Sequence, residues 1–168
     1  MKKETLFNTE IRQRIDAWTA KYPEDWKQSA VMAALRIVQD DFNQGSLTTE
    51  LMDQVAFYLD MPPIAVYEVA SFYSMYELKP VGKHKICLCT NVSCMMNGSD
   101  DVYKHLQSRL GINFNEITED GKFSLKEVEC LGSCAGAPMM QIGKKYYENL
   151  TNETIDTILD DLNGNLSR

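Results

Sequence analysis

The sequence predicts an α+β protein in which an N-terminal helical bundle precedes a domain built on a mixed β-sheet. As far as about Met75, apolar residues recur with the period of amphipathic helices. After the turn signal Pro80-Val81-Gly82, apolar residues instead form short runs with an intervening helix, which is typical of strands. The predicted domains are therefore a helical bundle over residues 1–79 and a sheet domain over residues 80–168.

The first two predicted helices lie on either side of Pro23. The first begins after Asn8, a good N-cap, and ends before Pro23. The second begins near Pro23 and ends at the stop signal Asn43-Gln44-Gly45. Their apolar stripes predict the following core positions: Ile11, Ile15, Trp18, Val31, Leu35, Val38 and Phe42.

Two more helices complete the predicted bundle. Thr48 or Thr49 caps the third, and Met61-Pro62-Pro63 ends it and starts the fourth, with Pro63 suited to a first turn. The bundle contains no cysteine and no histidine, so we expect no chemistry there. The remaining apolar candidates for core or interface positions are Leu51, Val55, Phe57, Tyr58, Phe72, Tyr73 and Tyr76.

In the sheet domain the element order is predicted to be β-α-β-β-β-α. His84 to Cys89 forms the first strand, and a helix capped by Asp100 or Asp101 ends at Gly111. Residues 123–129 alternate with period two after an Asp120-Gly121 turn and form the second strand. The hairpin signal Gly143-Lys144 joins residues 139–142 to residues 145–148, and Thr151 or Asn152 caps the last helix.

Four of the five cysteines form two close pairs, Cys89 with Cys94 and Cys130 with Cys134. Two thiolates four or five residues apart can reach one metal ion, and two such loops together supply four sulfur ligands. Iron-sulfur, zinc and disulfide sites all start from these residues. The odd cysteine count without a secretion signal disfavours disulfides, and neither histidine lies where a mixed histidine-cysteine cluster needs one. A site of four cysteines remains.

The two pairs are expected to meet at one edge of the sheet. Cys89 ends the first strand and Cys130 follows the second, and the carboxyl ends of parallel strands lie at the same edge. Small residues there allow backbone N–H groups to approach sulfur and tune a reduction potential. These small residues are Gly98, Gly132, Ala135, Gly136 and Ala137.

Apolar residues near the pairs have two possible roles, a docking face for a redox partner or a hydrophobic lid on the site. They are Met95, Met96, Leu131, Met139 and Met140. The fifth cysteine, Cys87, shares a strand face with Cys89 and could replace it as a ligand, but we expect it to be a buried strand residue.

Several motifs together resemble a known family. They are Cys89-Thr-x-x-x-Cys94, Asn97-Gly98-Ser99, Cys130-Leu-Gly-x-Cys134-x-x-Ala137-Pro138-Met139 and Tyr146-Tyr147-Glu148-Asn149-Leu150-Thr151, with Val69 to Tyr73 and Pro80 to Lys83 upstream. Nearly the whole chain resembles the E subunits of respiratory complex I, the thioredoxin-like [2Fe-2S] subunits of NADH-quinone oxidoreductase.

The resemblance implies a thioredoxin-like sheet domain holding one [2Fe-2S] cluster on Cys89, Cys94, Cys130 and Cys134. It further implies a non-catalytic electron-relay subunit that exchanges single electrons with the FMN of a partner flavoprotein, which binds NADH. Other subunits of the peripheral arm of complex I would be further partners. This chain has neither a Gly-x-Gly-x-x-Gly nor a P-loop motif for a nucleotide, nor a nucleophile-and-base signature.

Composition limits the other partners. Twenty-four acidic residues outnumber seventeen basic ones for a net charge of −7, which disfavours nucleic acid and anionic membranes as direct partners. No apolar run is long enough to span a bilayer, and residues 1–5 do not resemble a targeting segment. We expect a cytoplasmic protein, held at the cytoplasmic side of the inner membrane through its complex.

Three other functions remain open at this point: the equivalent diaphorase subunit of a NAD-linked hydrogenase or formate dehydrogenase, an independent thioredoxin-like ferredoxin, and a zinc module without redox function. A helical extension of about 75 residues argues against an independent ferredoxin, which needs no such domain. The absence of Cys-x-x-Cys argues against thiol-disulfide exchange. Neighbouring genes would distinguish complex I from its relatives.

Overall fold

The computed structural model describes residues 7–42 and 45–164, and its contacts divide the chain into two compact units, Met1–Pro80 and Val81–Arg168. In the first unit, α1 spans Thr9–Thr19, a 3-10 segment spans Glu24–Ala30, and α2 spans Val31–Asp41. The unit continues with α3 over Thr49–Leu59 and α4 over Pro63–Phe72. The predicted stop signal at Asn43 and Gln44 lies outside the described residues.

The predicted caps account for where these helices begin. Asn8 Oδ1 accepts a hydrogen bond from the Ile11 N–H at 2.9 Å, and Thr48 Oγ1 accepts one from the Leu51 N–H at 3.2 Å. Pro63 occupies the first turn of α4, as predicted. The helices enclose one core, whose fully buried large side chains are Phe7, Ile15, Leu35, Leu47 and Leu59.

The prediction of one continuous second helix is wrong. The segment after Pro23 has no side-chain cap and is a 3-10 helix that leaves helical geometry at Trp26, with φ −115° and ψ 26°. The α-helix therefore begins only at Val31. A propensity pattern does not distinguish a 3-10 turn from an α-helical first turn, since both have similar dihedral angles.

Three apolar residues predicted as core or interface positions of the bundle are largely exposed. Trp18 is 41% exposed, with the Lys21 ammonium 3.5 Å from the centroid of its ring. Phe57 is 58% exposed because it lies two residues after the buried Val55, on the opposite side of α3. Phe72 is 79% exposed at the end of α4, whereas Tyr76 is buried.

The second unit begins with β1 over His84–Cys89, α5 over Val92–Met96 and α6 over Ser99–Leu110. The short strand β2, Glu116–Ile117, then pairs with β3, Phe123–Val128. The unit ends with β4 over Met140–Ile142, β5 over Lys145–Tyr147 and α7 over Asn152–Leu162. The predicted β4–β5 hairpin and α7 are confirmed, whereas α5 and β2 had no counterpart in the prediction.

One mixed sheet carries the second unit, with strand order β2-β3-β1-β4-β5. β1 and β3 are parallel, and the other pairs are antiparallel. The core contains residues of the sheet together with α6 and α7, and its fully buried large side chains are Ile86, Leu88, Leu106, Leu125, Met140 and Ile155. The predicted fold class, an α+β chain with a helical bundle and a thioredoxin-like mixed sheet, is confirmed.

Capping is as predicted at α7 but not at α6. Thr151 caps α7 in a reciprocal arrangement with Thr154, and Gly111 ends α6 in the left-handed region at φ 69°. Gly98, at φ 95°, is the N-cap of α6 in place of the predicted aspartates, which lie within the first turn. Acidic side chains stabilise a first turn as well as a cap, so composition alone does not separate the two positions.

Candidate functional site: two cysteine pairs at the edge of the sheet

The two cysteine-bearing loops leave the sheet at the same edge. Cys89 is the last residue of β1 and lies opposite Val128, the last residue of β3, in the parallel register. Cys130 follows two residues later. The register thus brings Cys89 near Cys130 in space, although forty-one positions separate them in sequence.

The first pair is buried, and α5 completes it. Asn91 accepts a hydrogen bond from the Val92 N–H at 2.9 Å and starts this helix directly after β1. The helix brings Cys94 back to Cys89, and their thiols are hydrogen-bonded. Cys94 is only 1% exposed and Cys89 only 2% exposed. The Cys89 N–H also donates to the Met139 carbonyl oxygen at 3.2 Å, which fixes the end of β1.

Burial makes the Cys94 thiol a weak acid. Its pKa is raised to about 11, first because burial disfavours the thiolate and then because of its hydrogen bond with Cys89. The backbone N–H of Met139 acts in the opposite direction by donating to the sulfur. A metal that binds here has to displace the thiol proton, so its affinity is expected to fall as the pH falls.

The second pair is exposed. The sulfur atoms of Cys130 and Cys134 are 3.4 Å apart, and the Gly132 N–H lies 3.4 Å from the Cys130 sulfur. Gly132 has φ 86°, a left-handed conformation that glycine adopts without strain and that turns its N–H group toward the sulfur. The pKa of Cys134 is raised, mainly by its hydrogen bond with Cys130.

Contacts between the loops join the pairs into one site. The Cys134 thiol lies close enough to Cys89 and Cys94 to interact with both electrostatically. The Ser93 hydroxyl, on α5, donates a hydrogen bond to the Cys134 sulfur in the other loop. Ser93 was not singled out in the sequence, where a serine before a cysteine carries no specific signal.

Two carboxylates tie the first loop to the end of β3. The Thr90 hydroxyl donates to Glu127 Oε1 at 2.8 Å, and the Asn91 amide donates to Glu129 Oε2. Neither contact was predicted, because each pairs residues more than thirty-five positions apart. They hold the start of α5 over the parallel strands and thereby help to place Cys94.

The residues predicted to surround the site divide into two groups. Met139 is buried and packs with Cys89 and Cys94, and the half-buried Leu131 packs against them, as expected of a lid. Met140 is buried in the core of the sheet domain instead. Met95 and Met96 are 50% and 76% exposed on α5, as a docking face requires.

Cys87 lies on β1 as predicted but is only half-buried, so the expectation of a buried residue is wrong. Its neighbours Ile86 and Leu88 are completely buried on the other face of β1, with the core of the sheet domain. Cys87 lies on the opposite face of the sheet. Its register neighbours are Lys126 of β3 and Gln141 of β4.

The donor set fits a binuclear iron-sulfur cluster. In a [2Fe-2S] centre each iron takes two protein ligands, and here two sulfur pairs lie side by side. Backbone N–H groups of Gly132 and Met139 already point at sulfur, as is common around such clusters. Within residues 7–42 and 45–164, no three histidine, cysteine or carboxylate side chains converge on a single ion position.

Replacing Ser93 with alanine is expected to lower the reduction potential of the bound cluster. The hydroxyl donates to the Cys134 sulfur, and such a donor stabilises the reduced, more negative state. An EPR-monitored redox titration measures the change. Ser93→Thr keeps the hydroxyl and should retain the parent potential, whereas an unchanged potential in Ser93→Ala would contradict this role.

Comparison with known proteins agrees with the geometry. The family model of the thioredoxin-like [2Fe-2S] ferredoxin matches residues 15–163. The E subunit of NADH-quinone oxidoreductase from Rickettsia bellii is 47% identical to this chain over 142 residues, which cover 84% of each of the two chains. The mitochondrial NADH dehydrogenase [ubiquinone] flavoprotein 2 of Dictyostelium discoideum is 40% identical over 159 residues, 95% of this chain and 64% of that one.

A solved structure supports the fold. A chain of a NAD+-reducing [NiFe]-hydrogenase in the air-oxidized state superposes on 87% of this chain with a TM-score of 0.70 at 18% identity. The present chain spans only a quarter of that hydrogenase chain. By the match of its sequence from residue 15 to residue 163, this chain belongs to the thioredoxin-like [2Fe-2S] ferredoxin family, whose cofactor is a [2Fe-2S] cluster.

Proposed function

We propose that this chain is the electron-relay subunit of an NADH-quinone oxidoreductase. It holds one [2Fe-2S] cluster on Cys89, Cys94, Cys130 and Cys134 and exchanges single electrons with the FMN of a partner flavoprotein. The observation that carries the proposal is the pairing of the four thiols, with one pair buried beside Met139 and the other exposed. A relay needs both a shielded cluster and a side that a partner can approach.

The residues around the pairs have distinct tasks in this proposal. With a cluster bound, Cys89 and Cys94 would supply two buried sulfur ligands, and Cys130 and Cys134 would supply two exposed ones. Met139 and Leu131 exclude water from the inner side, because they pack directly on the buried pair. The N–H groups of Gly132 and Met139 and the Ser93 hydroxyl donate to sulfur and thereby favour the reduced state.

The chain itself supplies no site for NADH in this proposal. The sequence contains no Gly-x-Gly-x-x-Gly fingerprint and no P-loop, so the partner flavoprotein provides the nucleotide and flavin sites. The role in catalysis is thus that of a relay, without a catalytic residue of its own.

Exposed apolar side chains on the helical unit support the proposal of a permanent partner. We propose that the helical residues 1–79 contact the flavoprotein and that residues 80–168 carry the cluster. A permanent interface buries on the order of 2,000 Å² or more and is largely apolar. The helical unit offers exposed apolar residues for such a contact, which include Trp26, Phe57, Ile64, Phe72 and Leu78.

Placement at a membrane would follow from the complex rather than from this chain. Among the described residues, no helix combines the length and the apolar character needed to cross a bilayer. We propose that further peripheral-arm subunits hold the protein at the cytoplasmic side of the inner membrane.

Co-expression with and without the partner flavoprotein tests the relay proposal. The isolated chain should be red-brown and bleach with dithionite, yet fail to oxidise NADH with ferricyanide. The co-expressed pair should elute together in gel filtration, and NADH should then reduce the cluster as followed by EPR. Full NADH oxidation by the isolated chain, or no association with the flavoprotein, would contradict the proposal.

A second candidate is the equivalent diaphorase subunit of a NAD-linked hydrogenase or formate dehydrogenase. The observation that favours it is the superposition on a NAD+-reducing hydrogenase at a TM-score of 0.70. The relay chemistry would be the same, and only the final acceptor would differ. Neighbouring genes for membrane pump subunits, or for hydrogenase or formate dehydrogenase subunits, distinguish the two.

A further inference from the structure

The loop that carries the exposed cysteine pair has little regular structure of its own. Between β3 and β4 it contains only one 3-10 turn, Cys134–Gly136. A pair of exposed thiols in such a loop would sample many separations unless other groups held it. The sulfur atoms of Cys130 and Cys134 nevertheless lie 3.4 Å apart. Bonds within the loop, such as that from the Gly132 N–H to the Cys130 sulfur, contribute to this order, and groups outside the loop add to it.

The following segment, residues 146–150, makes four hydrogen bonds to this loop. Two are between backbone groups: the Asn149 N–H donates to the Gly136 carbonyl at 2.7 Å, and the Leu150 N–H donates to the Pro138 carbonyl at 3.0 Å. These bonds hold the end of the loop whatever the side chains are. They do not reach the residues beside the two thiols.

The other two bonds come from side chains and reach the neighbours of the cysteines. The Tyr146 hydroxyl donates to the Leu131 carbonyl at 2.8 Å, next to Cys130. Glu148 accepts a hydrogen bond from the Ser133 hydroxyl, next to Cys134. Each member of the exposed pair is therefore anchored through its adjacent residue.

Packing fixes the position of the carboxylate as well. A Cβ added at Gly136 would lie 2.7 to 2.8 Å from the Cβ, Cγ and Cδ atoms of Glu148. The Glu148 side chain therefore occupies space that is available only because residue 136 has no side chain. The Glu148 side chain lies across the 3-10 turn that begins at Cys134. Its carboxylate places a negative charge beside the exposed cysteine pair.

We infer that Tyr146 and Glu148 are positioning residues that fix the separation of the exposed cysteine pair for the cluster, and that the Glu148 charge also lowers the reduction potential. The inference rests on the proposed ligand set. It gives Tyr146 and Glu148 a role in holding the ligand loop. The two positioning residues act through Leu131 and Ser133 and do not touch the cluster themselves.

The test uses the full chain loaded with its cluster. Tyr146→Phe removes only the hydroxyl, and Tyr147→Phe is the matched control, because alternation along β5 places its ring on the other side of the strand, beside Lys145. Release of iron to a chelator measures how firmly the cluster is held. We expect Tyr146→Phe to accelerate release about fivefold, the factor that one ordinary hydrogen bond contributes, and Tyr147→Phe to leave the rate unchanged.

The carboxylate is tested by Glu148→Gln, which keeps an oxygen acceptor for Ser133 but removes the charge. We expect a more positive reduction potential in an EPR titration, because a nearby negative charge opposes the addition of an electron. A residue that served only the folded structure would not shift the potential. Both variants should remain folded, because the loss of one ordinary hydrogen bond lowers the melting temperature of the cluster-free protein by only a few degrees.

The inference is overturned if Tyr146→Phe releases iron at the parent rate, if Tyr147→Phe accelerates release equally, or if Glu148→Gln leaves the potential unchanged. Failure of the proposed function gives a different result. If Cys134→Ser still binds a normal cluster, the ligand set itself is wrong, whatever the Tyr146 variant does.

Discussion

Serine substitution of any one of Cys89, Cys94, Cys130 and Cys134 is expected to abolish the normal [2Fe-2S] spectrum, whereas Cys87→Ser retains it. The reason is geometric, since the four thiols form two adjoining pairs at the edge of the sheet, whereas Cys87 lies two residues before the end of β1. Visible absorption and iron and sulfide analysis of anaerobically purified variants measure the loss. A normal spectrum in Cys89→Ser together with loss in Cys87→Ser would show that the ligand on β1 had been misassigned.

The same four variants should differ in the stability of the cluster-free protein. Cys94→Ser puts a hydroxyl into a site that is 1% exposed, and burying such a group without a full set of partners costs about 1 to 3 kcal/mol. Cys130→Ser and Cys134→Ser lie at exposed positions and should change the free energy of unfolding by less than about 0.5 kcal/mol. Urea denaturation of the cluster-free proteins gives these values.

Gly82→Ala is expected to destabilise the sheet domain strongly, by about 3 kcal/mol, as overpacking of a tight site does. An added Cβ would lie 2.4 Å from the Phe123 backbone carbonyl carbon and 2.7 Å from the Ser124 nitrogen. Backbone atoms of β3 cannot rotate away as a flexible side chain could. The start of β1 would have to separate from β3, and the Lys83 N–H bond to the Gly121 carbonyl would be lost.

Denaturant unfolding of the cluster-free chain measures this cost, with Lys83→Ala as the control at the exposed neighbouring position. The control should unfold at the parent midpoint. A Gly82→Ala protein with parent stability would mean that the strands separate at this point without loss. Because the cluster loops lie at the opposite end of the same two strands, the variant that still folds should bind its cluster normally.

The features that sequence patterns predicted well are those with a local cause. The end of β1 at Cys89 follows from its apolar run, and the start of α7 follows from Thr151, whose hydroxyl accepts a hydrogen bond from the Thr154 N–H. The convergence of the cysteine loops was also predictable, because parallel strands end at the same edge. None of these features depends on which side chains pack together in the folded protein.

The features that were missed depend on tertiary contacts. Met139 was a candidate lid residue, but nothing in the sequence shows that it covers Cys89 and Cys94 and leaves the other pair exposed, so the different burial of the two pairs could not be predicted. The helix α5 is only five residues long, too short for a periodic pattern, although Asn91 was an available capping signal. The exposure of Phe57 is a different case, because its position two residues after Val55 already places it on the opposite side of α3 by helical periodicity.

The short outer strands of the sheet limit how the domain can associate with other chains. β2 has two residues and β5 has three, so each outer strand offers only a few unpaired backbone groups. Long outer strands are templates on which another chain can add a strand and from which aggregation starts. Extension of this sheet across a subunit boundary is therefore disfavoured, and recognition of other subunits has to depend on side-chain surfaces rather than on a continuous intermolecular sheet.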